Sequence, residues 1–111
     1  MINELLQKAT FRLGRAYTDD YNCLDFVQDM VGEELCHTND VSNAKGLIGE
    51  YFPKYEECEP YDGCIVQLGS THIGIYIAGY IFHNDNTAGG VVGALPRNTK
   101  YKIRYVKKVE E

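Results

Sequence analysis

At 111 residues the chain has room for a single domain, 1–111, with one core. Hydrophobic residues at 44% and charged residues at 24% exclude wholesale disorder, and a net charge of 11 − 16 = −5 argues against a nucleic-acid or anionic-membrane partner. No apolar run approaches the roughly 18–20 residues of a membrane span, and Met1-Ile2-Asn3-Glu4-Leu5 lacks the basic-then-apolar start of a secretory signal, so synthesis in a cytoplasm is expected.

Apolar residues at 2, 5, 6, 9, 11 and 13 trace a helical stripe over Ile2 to Arg15, ending near Gly14. A polar loop, Tyr17 to Asn22, follows. Cys23 opens a second helical pattern, with Leu24, Phe26, Val27, Met30 and Val31 apolar and Gly32 near its end; Asn22 or the preceding Asp pair supplies the cap. Residues 33–62 are mixed. Asn39 to Lys45 reads as a turn into a short helix toward Tyr51, after which Pro53 and Pro60 interrupt regular structure.

From Gly63 the period changes to two. Strands are predicted over Gly63–Leu68, His72–Ile77, Tyr80–His83, Val91–Leu95 and Lys100–Val106. Lys100, Lys102, Arg104, Lys107 and Lys108 read as one basic face of the last of these. Helices first and consecutive short strands after them describe an α+β domain, with N-terminal helices packed on a C-terminal antiparallel sheet of about five strands.

The four cysteines, at 23, 36, 58 and 64, form no C-x-x-C pair, and Cys36-His37 is poor zinc geometry. Free thiols are expected in a reducing compartment, with no metal site and no cofactor. Cys23 stands apart, because the positive end of a helix lowers a thiol's pKa and favours the nucleophilic thiolate. The plainer reading is that a cysteine there is a small buried hydrophobe.

A partner base weighs against the plainer reading. A two-residue turn at Ala78-Gly79 makes opposed residues of the flanking strands sum to 157, so Tyr76 faces Ile81 and Gly74 faces His83. His72 and His83 then lie on one face as diagonal neighbours, about 7–8 Å apart at Cβ. Gly74 has no side chain to keep the two imidazoles apart, while Ile73, Ile75 and Ile77 fall on the opposite, core-facing side. His37, in a polar loop, reads as solvated. Cysteine at a helix start, histidine on a strand and a second polar residue beside it are the nucleophile, base and orienter of triad chemistry.

Gly14-Arg-Ala-Tyr17, Asn22-Cys23-Leu-Asp-Phe-Val27, Asp62-Gly63-Cys64-Ile-Val66, His72-Ile-Gly-Ile-Tyr-Ile77 and Ile81-Phe82-His83 occur in this order. Together they resemble the NlpC/p-sixty superfamily of papain-like cysteine peptidases. The resemblance implies Cys23 as nucleophile, His72 as base and His83 as the third, polar residue. It puts Tyr17, Asn22 and Asp25 beside the thiol as oxyanion or substrate-binding residues. It also implies cleavage of amide bonds in peptidoglycan stem peptides, often next to D-γ-glutamyl residues, through a thioester acyl-enzyme.

Three positions depart from the family pattern. Asn22 stands where Asp is common, Leu24-Asp25 replaces a small pair, and Cys64 follows Gly63 where Asp is usual. A cell-wall hydrolase lacking an export signal suits a bacteriophage tail or lysis component, virion-associated or released at lysis. Three alternatives stand beside this reading. They are an acyltransferase or amidase on the same fold, a catalytically silent structural or binding module, and a small metal-binding domain using the four Cys and three His.

Overall fold

The computed structural model describes residues 2–33, 35 and 44–108; Cys36, His37 and the 39–43 turn lie outside the described residues. Three helices come first: α1 (Ile2–Arg12), α2 (Cys23–Val31) and α3 (Ala44–Tyr51), the last running into a 3₁₀ turn at Phe52–Lys54. Six strands follow, namely β1 (Glu56–Glu57), β2 (Cys64–Leu68), β3 (His72–Ile77), β4 (Tyr80–Asp85), β5 (Gly90–Ala94) and β6 (Ile103–Lys107). They form one antiparallel sheet in the order β1-β6-β2-β3-β4-β5. The fold class is therefore the α+β arrangement expected, with one strand more. The extra strand, β1, is two exposed glutamates and carries no alternation to read.

α2 is the central helix, and its start is fixed locally. Asn22 Oδ1 accepts the Asp25 N–H at 3.0 Å, while the Asn22 N–H donates to Asp25 Oδ2 at 3.0 Å. This reciprocal pair is a capping box. Gly32, at φ 75°, ends the helix by returning its N–H to the Gln28 carbonyl. Between these caps Cys23, Leu24, Phe26, Val27 and Met30 are buried, each large apolar side chain contributing about 1.5–3 kcal/mol. α1 is tied on by charge as well as by Ala9. Lys8 Nζ donates to the Asp29 and Met30 carbonyls at 2.7 and 3.0 Å, and Arg12 and the Tyr21 hydroxyl both bind the Asp29 carboxylate.

The β3–β4 hairpin turns through Ala78 (φ 55°) and Gly79 (φ 87°), two positive angles that define the tight turn matching strand twist. Asp62 Oδ1 accepts the Ala78 N–H at 2.8 Å. The register pairs Tyr76 with Ile81 and Ile75 with Phe82, as the sum of 157 requires. Ile73, Ile75, Ile77 and Phe82 face the helices in one core cluster with Phe26, Val27 and Ile48. On the other face Val66, Leu68 and Ile81 are covered by Tyr76, Tyr101, Ile103 and Tyr105, so β2 is buried along its whole length.

The expected basic face does not form. Arg104 turns inward, donating to the Phe52 and Tyr55 carbonyls and to Gln67, whereas Lys107 lies by Glu56. Residues 104 and 107 are three apart on one strand, so they point to opposite sides of the sheet.

Candidate active site

The site is built where α2 begins, β3 begins and β4 ends. Cys23 is the first residue of α2 and only 3% exposed. The capping box uses the Asp25 N–H, and the N–H groups of Cys23 and Leu24 are left to the sulfur, joined by the Ile73 N–H from β3. These donors favour the thiolate but do not prevail. Burial pushes the Cys23 thiol up to about 11, with the Asp25 charge adding to the rise. The lowered thiol pKa expected from the helix start is therefore corrected: desolvation of a nearly inaccessible sulfur outweighs the helix end.

His72 opens β3 and His83 lies on β4, on the same face. The rings meet as His72 Nε2···His83 Nδ1 at 2.8 Å, nearly perpendicular, with centroids 4.9 Å apart. Gly74 permits the approach. A Cβ there would sit 2.7 Å from the Phe82 carbonyl oxygen and 3.0 Å from His83 Cβ. Burial lowers both imidazoles, His72 to about 4, where the neighbouring His83 adds to the fall and Asp85 opposes it. At neutral pH both rings are uncharged.

Two further residues complete the cluster, and both were missed from sequence. Asp85 ends β4 and lies with its Oδ2 4.0 Å from His83 Nδ1. The same sum of 157 sets 85 opposite 72, two residues beyond the strand end expected at His83. Tyr101 precedes β6, which begins three residues later than the expected Lys100–Val106 strand. Its ring lies over His72 at 5.1 Å and 34° and meets His83 edge-on at 6.2 Å.

Tyr17 is delivered by the segment running beside β5, where Gly14 donates to the Val91 carbonyl and Val91 to the Arg15 carbonyl, each at 2.9 Å. Its hydroxyl is held above the ordinary tyrosine value, chiefly by burial. Asn22 and Asp25, by contrast, bond to each other across the helix cap and so hold the start of α2 and with it Cys23. Cys58 and Cys64 are free thiols and stand outside the cluster. Among the described residues, the side chains close enough to share a metal ion are His72, His83 and Asp85, their ligand atoms within 4.8 Å of one another.

An apolar cavity of about 450 Å³ lies elsewhere, between α1 and β4–β5, lined by Leu6, Leu13, Tyr80, Phe82, Val91 and Val92 among others. None of Cys23, His72 and His83 lines it.

No protein-family model and no curated protein matches the chain. Among solved structures it is similar to the P60 domain of the antigen MAP1204 from M. avium subspecies paratuberculosis. The match has a TM-score of 0.52 at 15% identity and covers 99% of this chain and 96% of that one. The chain thus has the fold of a P60 domain.

Proposed function

We propose that the protein is a cysteine hydrolase that cleaves amide bonds, with peptidoglycan stem peptides as its substrate class. The observation that carries this reading is the His72–His83 pair at 2.8 Å, set on the strand whose next N–H, that of Ile73, reaches the Cys23 sulfur at a helix start. The likeness in fold to a P60 domain supports it.

In the mechanism, His72 donates its Nε2–H to His83 Nδ1, which leaves Nδ1 of His72 as the proton acceptor. The resting pair is a neutral thiol and a neutral imidazole, because burial disfavours the charged form of each. Proton transfer to Nδ1 therefore accompanies attack of the sulfur on the carbonyl carbon. The N–H of Cys23 and the Tyr17 hydroxyl donate to the developing oxyanion. The departing amine takes the proton from His72, leaving a thioester. Water, deprotonated by His72, then releases the acid and restores the thiol.

The test is incubation with defined muropeptides, read by mass spectrometry, with Cys23→Ala alongside. Cleavage by the parent chain and none by the variant is expected. Absence of cleavage, together with a Cys23 that no peptide electrophile labels, overturns the reading.

One observation favours a second reading, that of a catalytically silent module in a phage particle. The Cys23 thiol is 3% exposed and its pKa is about 11. That reading predicts a Cys23→Ala chain with full biological function. An acyltransferase has less support, since the apolar cavity is not lined by the candidate nucleophile. Transfer to an added amine in the same assay would establish it.

A further inference from the structure

We propose that His72, His83 and Asp85 form a site for a divalent transition-metal ion of the zinc type, and that an ion bound there switches the candidate base off. The second clause rests on the catalytic reading above; the first does not.

The three ligand atoms lie within 4.8 Å of one another, with 2.8 Å between the ring nitrogens and 4.0 Å from His83 Nδ1 to Asp85 Oδ2. Zinc bound at about 2.0–2.2 Å to each in a tetrahedral arrangement spaces its ligands about 3.3 Å apart. The rings need part by only about 0.5 Å, while the carboxylate closes by about 0.7 Å toward His83 and by up to about 1.5 Å toward His72, a movement within reach of an aspartate rotamer. All three residues lie on one face, with His72 paired to β2 through Leu68 and His83 and Asp85 paired to β5 through Val92 and Gly90. Two nitrogens and one oxygen leave the fourth position to water, as in open zinc sites.

The surroundings hold the ligands in place. The Thr87 N–H donates to Asp85 Oδ1 at 2.9 Å, engaging that oxygen and leaving Oδ2 on the side of His83. The Tyr101 ring covers His72 and edges His83. Such outer partners orient metal ligands.

The consequence for chemistry follows from one proton. In the hydrogen-bonded pair of the proposed mechanism, His72 carries its proton on Nε2 and offers the Nδ1 lone pair. A metal ion takes the Nε2 lone pair instead, so the neutral ring carries its proton on Nδ1 and has no acceptor left for the Cys23 thiol. His83 keeps one tautomer throughout, with Nδ1 accepting from His72 or from the ion.

The experiment titrates the full, chelator-stripped chain with Zn²⁺ by calorimetry and metal analysis. One ion per chain is expected, weakened by at least about 10- to 100-fold, the cost of losing even an outer partner, in His83→Gln and Asp85→Asn and unchanged in Cys23→Ser. Histidine-ring NMR of the unaltered chain should show the His72 proton moving from Nε2 to Nδ1 as zinc is added. Circular dichroism checks that each variant is folded; should one fail to fold, the NMR measurement decides. Binding lost in Cys23→Ser but kept in Asp85→Asn overturns the proposal, as does binding that neither His83→Gln nor Asp85→Asn weakens. If zinc binds with the expected pattern but no muropeptide is cleaved by the metal-free chain, the metal site stands and the hydrolase reading falls.

Discussion

The two faces of the central hairpin are made by alternate residues of the same strands, yet they are under different demands. On the helix side Ile73, Ile75, Ile77 and Phe82 pack against α2, and any side chain of like shape and polarity satisfies them. On the other side His72, His83 and Asp85 stand within 4.8 Å of one another, and their value depends on distances and proton positions rather than on area. Under the proposed function one strand carries packing on one face and chemistry on the other, because its side chains alternate.

Four measurements sharpen or break this division. The largest effect is expected from His72→Gln, which should lower muropeptide turnover by about 10²–10⁴-fold while changing stability at pH 7 by about 1 kcal/mol or less. Turnover and urea unfolding measured on one preparation check it. A stability loss as large as that of a core variant would break the division.

The mirror experiment is Ile75→Ala. Unfolding stability should fall by about 2–5 kcal/mol, with kcat per folded molecule unchanged. A matching fall in kcat would mean that the helix-side face tunes the histidines directly.

Between pH 6.5 and 4 acid should act chiefly through the histidine face. His72 titrates near 6.5 when unfolded and near 4 when folded, so between these values the unfolded chain binds a proton that the folded chain does not. Stability is then complete above about pH 6.5 and declines as pH falls to 4, by about 3 kcal/mol from this group. His83 shifts in the same direction. Chemical unfolding at a series of pH values reads the slope, which His72→Gln should largely remove and Ile75→Ala should leave.

The smallest effect is the one that joins the faces. Gly74→Ala puts a methyl 2.7 Å from the Phe82 carbonyl, so β4 must shift, at a cost of about 1–3 kcal/mol. The same shift parts the histidines, and turnover should fall with stability. A variant stable and fully active would show that the rings do not depend on close strand approach.

Much of this was legible before any coordinates. The start of α2 at Cys23 follows from the capping residues before it, of which the structure selects Asn22, and the hairpin register from a two-residue turn. Those two local rules suffice to bring His72 and His83 to one face. Asp85 falls under the same sum, but its polar neighbours Asn84 and Asn86 hide the continuation of β4 beyond His83. β1 was not legible, since two exposed glutamates become a strand only when β6 lies beside them. The basic residues near the C-terminus misled for a related reason. Spacing suggested a charged face, but Arg104 is drawn inward by carbonyls of Phe52 and Tyr55, about fifty residues earlier in the chain.

The sequence by itself determined what depends on near neighbours: caps, turns, alternation and the pairing they impose. Only the tertiary structure decided the protonation of the site. The burial that raises Cys23 to about 11 and lowers His72 to about 4 is a sum over segments far apart in the chain. Local signals carry the helix end that favours a thiolate; the desolvation that outweighs it exists only once the sheet and helices have closed around the sulfur.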